Sequence, residues 1–330
     1  MSCLAAAMAG LFVWSTSLAA APEGAIVQFG VKVIDDAGAL IPARVLVRRL
    51  TDGRSFTPPV AVTQNIGPDV WFASSGADRL DVPSGRYELS AERGPEYEPA
   101  AATLELAANT THELRLHRWI DMAARGYRNG ENHLHVPPDG LSRILAAEGL
   151  DQGTSLQWWN GPRWTVDSSR AQAEGVSTLF DAEVENAWGA IYCVGLSRPL
   201  PVAWNPQRAN LAFARAARAD GGLVCYQGGW SAEALVDALL GAVDVVNVGD
   251  NLFHRHKFMP RSRNSNLLSA AGLPTYPKTA DGMLQLATES YYRLLNCGLR
   301  LAAGAGSATG VKSNPAGYNR AYVRVPAGAT

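Results

Sequence analysis

Residues 131–135 read Glu131-Asn132-His133-Leu134-His135, and the predicted fold is built around this run. In an extended strand alternate side chains share one face, so His133 and His135 point the same way. Two imidazoles placed like this can hold one cation. A second His-x-His pair, His254-Arg255-His256, comes later in the chain. We therefore predict a metal site that begins with His133 and His135.

The composition is that of a folded protein with no affinity for nucleic acid. A length of 330 residues suits two domains of ordinary size. Hydrophobic residues make up 47% of the chain and charged residues 18%, enough apolar material for a core. The 29 basic and 30 acidic residues nearly cancel, and no basic stripe is present. We therefore expect no nucleic-acid partner.

The first 21 residues are apolar and end in Ala19-Ala20-Ala21 before Pro22. Small residues in this pattern are typical of a signal-peptide cleavage site, so we predict a signal peptide over residues 1–21 and a periplasmic or secreted protein. No Lys or Arg precedes the apolar run, which leaves a membrane anchor as the alternative. About 15 apolar residues are short for a span, so we expect no stable transmembrane anchor.

Residues 22–118 show the alternation of half-buried strands. Val27, Phe29 and Val31 alternate with polar or small residues, and the pattern recurs around Val45 and Leu89. Turn-forming runs such as Asp-Gly and Pro-Ser-Gly separate these segments. The spacing predicts an antiparallel β-sandwich.

Strands and helical segments alternate from residue 119 to residue 330. A predicted helix follows His135, and His254 follows a predicted strand over Val243–Val248. Enzymes with β/α barrels place their chemistry at the carboxyl ends of the strands, and both histidine pairs fall at such positions. The pattern favours a β/α domain with a site at that edge. A solvated basic loop is a competing interpretation of the segment around His254.

Two further segments carry candidate site residues. Glu183 and Glu185 follow a predicted strand over Val176–Phe180, where carboxylates could hold an ion or accept a proton from water. An ordinary charged loop is the alternative. The run Trp158-Trp159-Asn160 follows another strand, and such aromatics either belong to the core or line a substrate cleft.

Taken in order, several motifs from about Asn129 to Val325 resemble the PHP superfamily of metal-dependent hydrolases, in the CehA/McbA (carbaryl-hydrolase-like) branch. The matching pieces are Asn132-His133-Leu134-His135, Trp158-Trp159-Asn160, Glu183 and Glu185, His254-Arg255, Tyr291-Tyr292-Arg293-Leu294-Leu295-Asn296-Cys297-Gly298 and Asn314-Pro315 with Gly317-Tyr318-Asn319-Arg320. The segment from Pro42 to Leu89 resembles the carboxypeptidase-regulatory type of β-sandwich. The resemblance implies an α/β chain: an antiparallel sandwich over 22–118, then a distorted PHP-like β/α barrel over 119–330, short at its C-terminal end.

The resemblance also implies a function and a ligand set. It implies a metal-bound water directed against an ester, amide, carbamate or phosphoester bond of a small-molecule or polymer substrate. His133, His135, Glu183 and His254 match the metal ligands, with Zn²⁺ or Mn²⁺ as the expected ion. Glu185 is the candidate for proton transfer, and the candidate substrate-binding residues are Trp158, Trp159, Asn160 and Asn251.

The sequence departs from that family at two places. Gly306-Ser307-Ala308 stands where the superfamily commonly has Asp-x-His, and Leu252 stands where relatives often have a histidine. The departures favour a reduced, mononuclear site. They also leave an alternative function: a catalytically degenerate, exported protein that binds a carbohydrate or a cell-surface polymer without turnover.

Overall fold

The computed structural model describes residues 24–162, 180–255 and 275–326. The predicted signal peptide, Trp164, His256 and most of the predicted strand over Val176–Phe180 lie outside these ranges. Nine strands form the first part of the chain: β1 Ile26–Ile34, β2 Ala43–Arg49, β3 Ser55–Phe56, β4 Thr63–Ile66, β5 Asp69–Ser74, β6 Ala77–Pro83, β7 Gly85–Glu92, β8 Ala100–Leu106 and β9 Thr110–Arg115.

These nine strands form two sheets that share one core. One sheet has the order β6-β1-β9, and the other has the order β4-β5-β2-β7-β8 with β3 paired to β2. Alternating apolar residues of β1, such as Phe29 and Val31, meet Val45 of β2 and Leu89 of β7 in that core. We call residues 26–115 the N-terminal sandwich.

The C-terminal part, residues 127–324, contains nine strands and four helices among the described residues. The strands are β10 Tyr127–Leu134, β11 Gln152–Ser155, β12 Trp158–Trp159, β13 Ala182–Asn186, β14 Gly189–Val194, β15 Leu223–Tyr226, β16 Val245–Gly249, β17 Ala302–Ala305 and β18 Ala321–Arg324. The helices are α1 Pro138–Glu148, α2 Asn210–Ala219, α3 Ala234–Leu239 and α4 Ala280–Asn296.

Local sequence accounts for the helix boundaries. Helix α1 begins with Pro138, whose missing N–H costs nothing in the first turn, and ends at Gly149, which has the left-handed φ of 62°. Helix α4 begins after Thr279, whose side chain accepts a hydrogen bond from the Gly282 N–H.

Two sheets of the C-terminal part enclose the candidate site. The first has the order β11-β10-β18, and the second has the order β12-β13-β14-β15-β16-β17. Val184 and Ile191 point from the second sheet into a core with Phe213 of α2. Glu183 and Tyr192 are next to them in the sequence, so they project from the opposite face of this sheet. That face meets β10.

The fold class predicted from the sequence is wrong. The chain is rich in β-structure, β1 pairs with β9 in parallel, and the described residues contain no β/α barrel. A β/α barrel requires parallel strands joined by crossovers, whereas β13, β14 and β15 pair antiparallel and the six-stranded sheet stays open between β12 and β17. Alternating strand and helix patterns cannot report strand direction, which is why the sequence was misleading here.

In the described ranges, none of the helices combines the length and the apolar character that a bilayer span requires.

Candidate metal centre

Three buried side chains converge on one point between the two C-terminal sheets. His133 Nε2 lies 3.0 Å from His135 Nε2, and the Glu183 carboxylate lies 2.8 Å from His135 Nε2 and 3.4 Å from His133 Nε2. Their potential ligand atoms all lie within 4.8 Å of one another. Among the described residues this is the one such group of three, and it contains three of the four predicted ligands.

The strands position these side chains through simple alternation. His133 lies near the end of β10, and His135 follows that strand by one residue with its ring on the same side. Glu183 is the second residue of β13, not a loop residue after a strand as the sequence suggested. It is paired across the ladder with Tyr192, whose ring lies 4.2 Å from the His133 ring. Glu183 therefore faces β10 from the neighbouring sheet.

The separations suit a small divalent cation. Ligand atoms bound to zinc at about 2.1 Å in a tetrahedron lie about 3.4 Å apart. The three observed separations, from 2.8 to 3.4 Å, are close to that edge length. Two imidazoles and one carboxylate form a donor set that zinc commonly takes in catalytic sites. The residues present therefore fit the predicted metal.

Glu183 is buried, so its protonation state decides whether the site contains a negative charge that must be compensated. Burial alone would raise the pKa of the Glu183 carboxyl, but the charges and hydrogen bonds of His133 and His135 outweigh it and bring that pKa to about 2. A carboxylate is therefore present at neutral pH. A buried anion requires a compensating cation, and a bound metal or a protonated imidazole could provide it.

A glycine-rich segment, residues 304–310, lies directly against the two histidines. The Ala308 N–H donates to the His133 carbonyl and the His135 N–H donates to the Thr309 carbonyl, both at 2.8 Å. A Cβ atom on Gly306 would lie 2.4 Å from the His133 Cβ, and one on Gly310 would lie 1.9 Å from the His135 carbonyl oxygen. The glycines permit this close approach, which fixes the backbone of both histidines.

Glu131 binds the same segment and the residues that follow it through hydrogen bonds. Its carboxylate accepts hydrogen bonds from the Ser307 hydroxyl and, at 2.8 Å, from the Gly317 N–H. Burial raises the pKa of the Glu131 carboxyl to about 8, although both hydrogen bonds oppose the rise. Ser307 thus donates a hydrogen bond to a buried neighbouring carboxyl group.

The candidate for proton transfer lies at the exposed edge of the site. Glu185 is two residues beyond Glu183 on β13, and its carboxylate accepts a hydrogen bond of 3.1 Å from the Trp159 indole. The Trp159 ring lies 5.3 Å from the His135 ring. Asn160, with a left-handed φ of 53°, bonds through its amide to both the N–H and the carbonyl of Glu185. Its amide is therefore engaged in holding Glu185.

The structure also describes three other residues predicted for the site. Trp158 packs against the core on the helix side of the sheet. Asn251 is buried and accepts a hydrogen bond of 3.1 Å from the Gln227 amide. His254 is buried on the segment after β16, but it is not part of the group formed by His133, His135 and Glu183.

Sequence patterns did not identify Tyr192, Asn247 or Trp204 as part of the site's surroundings. Tyr192 lies in an apolar strand that resembles any core strand, and Asn247 lies inside β16. Trp204 donates a hydrogen bond of 3.1 Å to the Glu185 carbonyl from a loop without a motif. In each case the relevant neighbour is distant in sequence, so no local signal was present.

Comparisons with known proteins identify no family. No protein-family model matches the chain, and no curated protein matches it. Part of the chain is similar to several solved structures. One is the TIE protein of Bacillus anthracis, with 14% identity over 33% of this chain and 19% of that chain and a TM-score of 0.20. The minor pilin of Streptococcus agalactiae is another (16% identity, 30% and 47% coverage, TM-score 0.23), as is a streptococcal ancillary pilin (12%, 33% and 36%, 0.21). The chain covers less than half of each of these proteins.

Proposed function

We propose that the chain is a metal-dependent hydrolase with a mononuclear zinc centre held by His133, His135 and Glu183. The convergence of these three buried side chains supports the proposal. Manganese is the second candidate ion, but two imidazoles favour zinc over a metal that prefers oxygen ligands. His254, the fourth ligand predicted from the sequence, is not part of the proposed donor set. The proposal depends on this donor set and does not require a barrel.

The chemistry follows from the number of ligands. Zinc held by three protein side chains keeps a position for water and acts as a Lewis acid. We propose that Glu185 transfers the proton, because its carboxylate is exposed and its hydrogen-bond partner, the Trp159 indole, packs beside the His135 ring. The substrate bond would be an ester, an amide or carbamate, or a phosphoester.

The aromatic residues at this edge support a second candidate function, binding without turnover. Trp188 is 41% exposed and Trp204 is 37% exposed, and both lie close to the β13–β14 hairpin that carries Glu185. Exposed large aromatics often mark recognition surfaces. An exported protein that binds a carbohydrate or a cell-surface polymer would use the same edge.

The metal content of the purified chain tests the first proposal. After zinc supplementation and dialysis, wild type should retain about one equivalent of zinc by elemental analysis, because three ligands converge on one point. The double variant His133→Ala/His135→Ala should lose it. The control is His112→Ala/His117→Ala, which removes one histidine in β9 and one just after it and leaves the site intact. Wild type that stays free of metal would overturn the proposal.

Turnover then separates the two functions. Zinc-loaded protein should cleave at least one of an aryl ester, an aryl carbamate and a phosphodiester, and Glu185→Gln should slow cleavage without releasing zinc. If zinc binds but no bond is cleaved, and immobilised polysaccharides retain the protein, binding without turnover becomes the better account. Loss of that retention in a Trp188→Ala/Trp204→Ala variant would assign it to the exposed edge.

We further infer that the protein is exported, on the basis of the apolar segment over residues 1–21. N-terminal sequencing of protein recovered from the periplasm or the medium should show a chain that starts at Pro22.

A further inference from the structure

A buried set of charges joins the N-terminal sandwich to the C-terminal part. Arg44 of β2 pairs with both Glu92 of β7 and Glu148 of α1. Glu92 also accepts two hydrogen bonds from Arg255, one on each carboxylate oxygen. Arg44 and Glu148 are almost fully buried, and Arg255 is 30% exposed. A two-pronged arginine–carboxylate pair fixes orientation as well as distance.

Arg255 is also tied to the segment that supports the two histidines. Its backbone N–H donates a hydrogen bond of 3.1 Å to the Asn314 side-chain oxygen. The Asn314 amide in turn donates 3.1 Å to the Phe253 carbonyl and 3.1 Å to the Ser307 carbonyl. Ser307 precedes Ala308, whose N–H donates to the His133 carbonyl. Hydrogen bonds and short stretches of backbone at Arg255 and at Ser307–Ala308 therefore connect Glu92 of the sandwich with the His133 carbonyl.

A second connection reaches the same segment. The Gln64 side chain of β4 accepts a hydrogen bond of 3.0 Å from the Ala316 N–H and donates one of 3.0 Å to Glu148. The next residue, Gly317, donates to Glu131 on β10. Two strands of the sandwich thus hold residues 307–317, which in turn hold β10.

We propose that the N-terminal sandwich sets the geometry of the metal centre, and that Arg255 is the positioning residue through which it acts. This inference rests on the proposed metal centre. Groups that orient metal ligands without touching the ion commonly contribute tenfold or more to affinity. The forked pair of Arg255 on Glu92 is one of the contacts that span the two parts of the chain, and a substitution of Arg255 removes this pair while Arg44 and Gln64 keep theirs.

The chain offers a closely matched control. Arg48 of β2 pairs with Glu88 on β7, the strand that also carries Glu92, and its side chain is 31% exposed compared with 30% for Arg255. Arg48 also pairs with Asp69, so its partners all lie within the sandwich. Arg255→Gln and Arg48→Gln therefore each remove an arginine of nearly equal exposure that pairs with a glutamate of β7, but only the Arg255 pair leads to the segment around His133.

Zinc affinity and the visible spectrum of the cobalt-substituted protein provide the test. Arg255→Gln should raise the zinc Kd about tenfold or more and change the cobalt spectrum, whereas Arg48→Gln should stay within about twofold of wild type with an unchanged spectrum. Thermal unfolding of all three proteins shows whether both substitutions cost similar stability. Equal zinc affinity in Arg255→Gln and wild type would overturn the proposal, as would an equal loss in Arg48→Gln.

Hydrogen exchange of the metal-free proteins separates this inference from the proposed function. The N–H groups of Ala308 and His135 should exchange faster in Arg255→Gln than in wild type or Arg48→Gln. If wild type binds no zinc and this difference is still observed, the metal centre is wrong while the structural link stands. If wild type binds zinc and exchange at both groups is unchanged in Arg255→Gln, the link is wrong.

Discussion

At the residue scale, the candidate metal centre depends on glycines, because a side chain at these positions would not fit. The glycine-rich segment over residues 304–310 does not have the ending that a phosphate-binding loop requires. In the structure it packs against the two histidines instead. Gly306 and Gly310 let the backbone approach His133 and His135 more closely than any residue with a Cβ would allow. Gly310 also has a φ of 94°, a conformation that disfavours other residues.

Gly310→Ala should therefore be severely destabilising. The new Cβ would lie 1.9 Å from the His135 carbonyl oxygen, so the segment or the strand must move. We expect a loss of more than about 3 kcal/mol in the free energy of unfolding, measured by urea denaturation.

The control for this prediction is Gly298→Ala. Gly298 has a similar φ of 81° but no atom within 4 Å of an added Cβ. It should cost only the backbone strain, about 1–2 kcal/mol. Equal losses at both positions would show that close packing against His135 is unimportant.

At the scale of elements, an amide pair joins the two C-terminal sheets. The Asn132 amide of β10 donates 2.8 Å to the Asn247 oxygen of β16, and the Asn247 amide donates 2.9 Å to the Asn132 oxygen. Asn247 is fully buried. The pair holds β10, and thus His133, against the sheet that carries Glu183.

Removal of one amide of this pair should cost more than half of the unfolding free energy that removal of both amides costs. Asn132→Ala leaves the buried Asn247 amide without its partner, which should cost about 1–3 kcal/mol of unfolding free energy. The double variant Asn132→Ala/Asn247→Ala should cost clearly less than the sum of the single variants, since neither amide is then left unsatisfied. Urea denaturation of the four proteins measures this coupling. Additive losses would show that the two amides do not interact.

At the scale of the whole molecule, buried charges connect the sandwich with the C-terminal part, and their effect should depend on pH. Burial alone would raise the pKa of the Glu92 carboxyl, but Arg255 and Arg44 outweigh it, so the folded pKa lies below the ordinary value of 4.5. A lowered folded pKa means that the carboxylate stabilises the fold above pH 4.5 and loses this effect as the pH falls below it.

Glu92→Gln should therefore differ most from wild type near neutral pH. The gap in unfolding free energy should narrow as the pH falls below about 4.5, because the unfolded wild-type chain then takes up a proton at Glu92 before the folded protein does, while the variant has no group to titrate there. Denaturation midpoints from pH 3 to pH 7 measure the gap. Glu88→Gln, which removes the partly exposed partner of Arg48, should give a smaller gap at neutral pH. A gap for Glu92→Gln that is constant with pH would contradict the prediction.

The residues of the candidate metal centre could be named from the sequence, but its architecture could not. Alternation within one strand placed His133 and His135 on one face, and that is a property of any extended backbone. Glu183 was a candidate on its residue type and position, and the structure brings it to the two imidazoles. Local patterns also anticipated α1, the helix after His135, because a glycine stop such as Gly149 acts over a few residues.

Only the tertiary structure decided how these elements pair. Strand direction and sheet order depend on contacts between distant residues, so the alternation of strands and helices was compatible with a barrel that the described chain does not form. The same holds for the Asn132–Asn247 pair and for the link from Glu92 to Arg255, whose partners lie more than a hundred residues apart. The sequence by itself determined which side chains could bind a metal, because spacing along a strand is a local property. The tertiary structure determined which of them meet, because convergence requires two sheets to face each other.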